Sequence, residues 1–321
     1  MLEYTLLRNI SPEYIQPEPS AFSLEYTDPE TGKRSTEIDG RFRLLFPPFL
    51  LLNEGRYEIL QGRIPVEYCK LHGIAVPHVI VVEKKISNED LLWFLLHLKK
   101  QSAGFNIIEK ALAVRKFDEM VRRIPEDMPK LLDIPRSKRY LDNYKKLSYA
   151  PDEMRLAVLR GELHENTAFE IFRFPQESWC TLARFVSGLS TGTKKRNEIL
   201  DMLLLITDGE KERVDRILGA DEMRRIVKLG IDPPQIAQRI FEYVKELRYP
   251  HMFGYTKQFY KKLKQLKLNR GVQLTVPKDF EQWEFTMSLS FSTVEELKNQ
   301  IEELKKIAEG STFSELMSMR V

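Results

Sequence analysis

Hydrophobic and polar positions change rhythm twice along the chain. In the first third, apolar residues come in short runs: FRLLF at 42–46, FLLL at 49–52, YEIL at 57–60 and VPHVIVVE at 76–83. Runs this short, bounded by turn residues, predict buried strands. Asn53-Glu54-Gly55 predicts a hairpin turn between two of them. Gly62 ends the second of these strands, and residues 66–71 read as a helix stopped by Gly73. Ahead of this block, residues 1–40 read as irregular, because Pro12, Pro17, Pro19 and Pro29 recur too closely for a helix. Within them only residues 22–26 (FSLEY) alternate as a strand would, and TDPETGK at 27–33 reads as a turn.

From Ser87-Asn88-Glu89-Asp90, a helix cap with an acidic first turn, the period lengthens to that of helices and stays so to about Leu268. Residues 91–99 form one predicted helix. Asn106 starts another, with Ile107, Ile108, Ala111, Leu112, Val114 and Phe117 as its apolar positions, and shorter helices follow between Pro125, Pro129, Pro135, Pro151 and Pro175. The tail reverses again. VQLTVP (272–277) and EFTMSLSF (284–291) alternate as strands, and Thr293 caps a helix striped by Val294, Leu297, Ile301 and Leu304. The expected fold class is therefore α+β: a small N-terminal α/β unit over 1–120, a central all-α domain over 121–270, and a β-β-α tail over 271–321. That tail is too small to be stable alone, so it packs on the helical domain or pairs with a second copy.

Composition narrows the classes. In 321 residues, 42% are hydrophobic and 30% charged, which excludes a disordered or collagen-like chain. No apolar run approaches the roughly 20 residues that a bilayer span needs, and the N-terminal stretch has no apolar core of signal-peptide length. The 2 cysteines are too few for a disulfide framework and point to a reducing, cytoplasmic compartment. Net charge is only +3, but it is clustered: Lys245 to Arg270 holds eight basic residues against one acidic. That stretch interleaves Tyr249, Phe253, Tyr255, Phe259 and Tyr260 with its cations. Lys257, Lys261, Lys262, Lys264 and Lys267 could grip a phosphate backbone. Equally, Phe259, Leu263 and Leu266 could be core, with the lysines merely solvated.

Residues 128–154, MPKLLDIPRSKRYLDNYKKLSYAPDEM, have helix-turn-helix spacing. A short helix carries Leu131 and Leu132, a turn lies at Asp133–Pro135, and Ser137 can cap a second helix whose inward stripe is Tyr140, Leu141 and Tyr144. Arg136, Lys138, Arg139, Asn143 and Lys146 project elsewhere. This chemistry suits DNA, since Arg or Lys pairs guanine and Asn pairs adenine, with further lysines on phosphates. A solvated helix pair in an all-α domain would have the same periodicity.

The same residues carry a family resemblance. PRSKRYLDNYKKLSYAPDEM resembles the recognition helix of the ParB family of partition proteins. LAVLRGELHENTAFEI (156–171) is similar to that family's next box, with Gly161, Leu163 and Ala168 at matching positions. Residues 56–82 resemble its strand–glycine–helix–glycine–strand block, and FNIIEKALAV (105–114) resembles the helix after its second nucleotide motif. The likeness covers about residues 15–205.

It implies a protein that binds double-stranded DNA in segregation, replication control or transcription, with Arg136, Ser137, Lys138, Arg139, Asn143 and Lys146 at the DNA; a homodimer would suit a helix-turn-helix reading two half-sites. It also implies CTP with Mg²⁺ as a cofactor, bound near Gly62, Arg63, Lys99, Lys100 and Gln101. There the sequence departs from the family pattern. Gly62-Arg63-Ile64-Pro65 keeps the glycine of Gly-x-Arg-Arg but neither arginine, and Leu98-Lys99-Lys100-Gln101-Ser102 keeps only Gln101 of a Glu-Asn-x-x-Arg motif. These departures favour a nucleotide fold retained as scaffold.

Two other classes stay open. One is an enzyme: a CTP-dependent clamp or CTPase, or a metal-dependent nuclease drawing on Asp39, Glu54, Glu58 and Glu67. The other is a protein-interaction adaptor. No Walker loop, Gly-x-Ser-x-Gly or His-Glu-x-x-His occurs, so no catalytic residue is assigned. Cys69, His72 and His78 make half a zinc pattern with no second pair, so no metal ligand is assigned and Cys69 and Cys180 read as core.

Overall fold

The structure, a computed structural model, describes residues 4–30, 46–83, 85–102, 104–266, 268, 271–275 and 285–318. The fold is α+β. The chain forms two compact units, Met1–Ala237 and Gln238–Val321.

The first unit is built on a five-stranded sheet of β1 (Tyr4–Ile10), β2 (Ile15–Pro19), β3 (Phe49–Asn53), β4 (Arg56–Gln61) and β5 (Val76–Glu83), in the order β1-β5-β3-β4-β2. β3 and β4 form the expected antiparallel hairpin, with Leu52 opposite Tyr57 and Asn53 opposite Arg56. Its turn places Glu54 at φ 51 and Gly55 at φ 80, the left-handed pair that a tight hairpin requires. β5 runs parallel to β3 after a crossover through helix α1 (Arg63–His72). Alternation along the strands then builds two faces. Leu50, Ile59, Val79 and Val81 pack against Val66 and Cys69 of α1. Phe49 points the other way and meets Phe94 of α2 (Asn88–Ser102) at 5.7 Å between ring centroids.

The N-terminal forty residues differ from expectation. Two strands, β1 and β2, occupy the stretch read as irregular, and residues 22–26 form no strand. Pro17 and Pro19 are tolerated because β2 is the sheet's edge, hydrogen-bonded on one side only, where a missing N–H costs nothing. The predicted strand at 42–46 lies outside the described residues except for Phe46, as do parts of the two tail strands.

Residues 20–30 instead form a strap with no ladder of its own. Its backbone and side chains are satisfied from two sides. On the sheet side, the Ser20 amide donates to the Ile59 carbonyl at 2.9 Å and the Ser20 hydroxyl donates to Glu58 at 2.8 Å. On the helical side, α3 (Ile107–Lys116) supplies Glu109, which accepts from the Tyr26 amide at 3.1 Å, and Lys116, which donates to the carbonyls of Ala21 and Ser23. Asn106, the cap of α3 in a full capping box, donates to the Tyr26 carbonyl at 2.9 Å. Phe22 and Leu24 are buried beneath the strap.

The rest of this unit is helical. After α3 come a π-type turn at Phe117–Val121, α4 (Met128–Leu131), α5 (Lys138–Tyr149), α6 (Asp152–Leu159), α7 (Glu165–Ile171), α8 (Trp179–Ser187), α9 (Thr193–Thr207), α10 (Lys211–Leu218) and α11 (Asp221–Val227), while α12 (Pro233–Arg248) starts in this unit and continues into the second after Ala237.

The second unit contains α13 (Pro250–Gln265), the antiparallel pair β6 (Val272–Thr275) and β7 (Thr286–Leu289), α14 (Val294–Ala308) and α15 (Ser311–Ser318). Its core is Phe259, Leu274 and Leu316, with Leu263 and Leu266 packed on them, and Phe259 stacks on Phe285 at 5.6 Å.

Candidate nucleic-acid interface

α5 is held by what it buries. Ser137 caps it, accepting from the Tyr140 amide at 3.4 Å, and the preceding turn puts Asp133 at φ 53. Tyr144, Leu147 and Ser148 are buried on the inner face, while Tyr140 and Leu141 are half-buried. Tyr144 packs edge-on against Phe169 of α7 at 5.4 Å, and its hydroxyl donates to Glu165 at 3.1 Å. Burial, reinforced by the Glu165 charge, pushes that hydroxyl well above the ordinary tyrosine range, so it stays a proton donor. On one flank Lys145 is bonded to Asp118 and Tyr149 to Glu119, fastening α5 to the π-type turn. At its start, Lys100 of α2 is bonded to Asp133, and that bond holds the Asp133 carboxyl below its ordinary range.

What α5 leaves in solvent is a cationic row with one break. Arg136 and Lys138 are exposed and have no ion pair among the described residues. Arg139 is 75% exposed and reaches Glu170 of α7 only at 3.5 Å. Lys146 is exposed, with its ammonium donating to the Phe172 carbonyl at 3.3 Å. Asn143 is half-buried and shows no hydrogen bond among the described residues. Arg139, Asn143 and Lys146, spaced four and three apart, share one side of the helix.

Sequence reasoning passed over Asp142. It is exposed and lies three and four residues from Arg139, Lys138 and Lys146, so it sits within the cationic row. A carboxylate there repels phosphate and can accept from cytosine N4. Its spacing, off the inward stripe of Tyr140, Leu141 and Tyr144, was visible in the sequence.

Of the residues singled out for nucleotide, Gly62, Arg63, Lys99 and Lys100 are already engaged within the chain. Gly62 caps α1 with φ 92, and a Cβ there would come within 2.8 Å of Pro48, so only glycine fits. The amides of Gly62 and Arg63, free donors at a helix N-terminus, take the two carboxylate oxygens of Glu25 at 2.9 and 3.1 Å. The Arg63 guanidinium pairs with Glu67 at 2.5 Å. Lys99 is buried and pairs with buried Glu109 at 2.8 Å, while Lys100 holds Asp133. Gln101 is exposed. Among the described residues no group of three His, Cys, Asp or Glu side chains is placed to hold a metal ion. Glu58 takes bonds from Ser20 and Asn53, and Asp39 lies outside the described residues. Cys69 is buried, and burial raises its thiol pKa; Cys180 is half-buried.

In the second unit, Lys257, Lys261 and Lys264 lie exposed at helical spacing on α13, opposite buried Phe259. Lys262 is half-buried and bonded to Glu315 of α15 at 2.8 Å. Lys267 lies outside the described residues. Phe259 stacks on Tyr255 and meets Tyr260 edge-on, and Phe259 is wholly core. On α14, Val294 is 70% and Ile301 50% exposed, while Leu297 and Leu304 of the predicted stripe are half-buried. Among the described residues no helix is long and apolar enough to cross a membrane.

No family model matches the chain, and no curated protein matches it. Among solved structures, the chain is similar to the C-terminally truncated chromosome-partitioning protein ParB from Caulobacter crescentus complexed to the centromeric parS site, with 18% identity over 60% of this chain and 97% of that chain at a TM-score of 0.34. It is also similar to the same truncated protein complexed with CTP-gamma-S, with 19% identity over 57% of this chain and 98% of that chain at a TM-score of 0.24.

Proposed function

We propose that the chain is a sequence-selective duplex-DNA-binding protein, working in DNA segregation, replication control or transcription, with α4, the turn at 132–137 and α5 as its helix-turn-helix. The observation that carries this reading is the N-terminal end of α5. Arg136, Lys138 and Arg139 stand exposed there, on a helix whose orientation is fixed by buried Tyr144 and Leu147. A recognition helix uses its N-terminal residues on base edges, where Arg and Lys read guanine. Asp142 adds a negative selector within the row, which favours discrimination over uniform affinity. Lys146 and the exposed α13 lysines supply phosphate contacts. The resemblance of residues 128–171 to the ParB family is the reason for naming segregation first.

The reading includes a homodimer, because two half-sites require two copies of α5. The uncovered α14 stripe of Val294 and Ile301 supports it, since apolar helix faces of this kind find a partner. Selection of bound fragments from sheared genomic DNA tests the proposal. A discrete, enriched sequence protected over paired half-sites is the expected result; uniform recovery of all fragments would refute sequence selection.

A further inference from the structure

The strap at residues 20–30 joins elements that the sheet and the helices otherwise approach separately. Its middle residue of consequence, Glu25, lays both carboxylate oxygens on the Gly62 and Arg63 amides at the N-terminus of α1. The next residue, Tyr26, is bonded through its amide to Glu109 of α3. Two residues further, Asp28 takes the Arg160 guanidinium at the end of α6 in a two-pronged pair of 2.6 and 3.0 Å. Asp28 is buried, and Lys116 closes the strap from below by donating to two of its carbonyls. Within four residues, Glu25, Tyr26 and Asp28 thus bond α1, α3 and the end of α6 in turn.

We propose that this strap is a built-in clasp: Glu25 takes in cis the helix-terminal amides of α1, and the strap locks that end of the sheet layer to α3, which packs on α5, and to α6, which follows it. The two layers are thereby held as one body by the chain's own carboxylates, with no ligand required. A carboxylate at a helix N-terminus is favoured by two free donors and by the helix dipole. A two-pronged guanidinium–carboxylate pair is directional as well as strong. Such coupling is reciprocal, so each end must feel the loss of the other. The clasp does not depend on the DNA-binding reading, and its test makes no use of DNA.

The test is amide hydrogen exchange read by mass spectrometry on the full chain, with Glu25→Gln, Glu25→Ala and Arg160→Met variants. The clasp predicts that Arg160→Met speeds exchange at the Gly62 and Arg63 amides by at least about fivefold, and that Glu25→Ala speeds exchange in α6 comparably, with the β3 and β5 amides still protected. Glu25→Gln, which keeps one acceptor oxygen, should give a smaller effect at both ends and serves if Glu25→Ala unfolds the sheet. Inorganic tripolyphosphate added to the unaltered chain should leave the α1 amides unchanged. Effects confined to the mutated end would overturn the clasp, and protection of α1 by tripolyphosphate in the unaltered chain would overturn the occupancy by Glu25.

Discussion

At the scale of single residues, two side chains set behaviour that composition does not reveal. Asp142 places a negative charge within the exposed row of α5. Its replacement by Asn is expected to raise affinity for random duplex DNA about two- to fivefold, the effect of an exposed charge interaction of about 0.5–1 kcal/mol. Discrimination between sites should fall at the same time. Titration of the variant against random and selected duplexes reads both, and unchanged discrimination would remove Asp142 from base reading. Lys116 is the second. Burial lowers its pKa from 10.5 to about 8. The unfolded chain therefore binds this proton more firmly than the folded chain does. It follows that stability should rise, relative to a Lys116→Met variant, as pH climbs from about 8 towards 10.5, and be flat below that window. Thermal melts of the pair across that range check the slope. A difference that shrinks with rising pH would contradict it.

At the scale of elements, what was legible in the sequence is what local chemistry decides. The Asn53-Glu54-Gly55 turn was legible because positive φ at two positions restricts residue type. So were the Asn106, Ser137 and Thr293 caps, whose side chains bond the following turn. β1 and β2 were not, because edge strands bury too little to alternate cleanly and can hold proline. Residues 22–26 misled for the converse reason: their backbone partners are local serines and side chains of α3 and its cap rather than a neighbouring strand. The Glu25 and Asp28 bonds join residues 37 and 132 positions apart, a separation no local pattern encodes. For the same reason the expected nucleotide residues could be named but not their partners within the chain. Caps also make a prediction. Ser137→Ala should cost about 1 kcal/mol of stability, because the first turn of α5 loses its acceptor. Urea unfolding measures it, and no loss would mean that the cap is not formed in solution.

At the scale of the whole molecule, basic surface occurs on both compact units, on α5 in Met1–Ala237 and on α13 in Gln238–Val321. The second unit leaves Val294 and Ile301 of the α14 stripe exposed. If that stripe joins two copies, a Val294→Glu/Ile301→Glu double variant should sediment as a monomer while keeping its helical content. A dimer that survives the double change would move the interface elsewhere. The most direct test of the DNA-binding claim is fluorescence anisotropy of a random duplex between about 50 and 200 mM salt, beside a Lys138→Ala/Arg139→Ala variant. The α5 reading predicts binding that weakens steeply with salt. In the variant it predicts weaker binding and a salt slope shallower by about one unit for each phosphate no longer neutralised. No binding at the lowest salt, or a variant that binds as tightly as the unaltered chain, would contradict it.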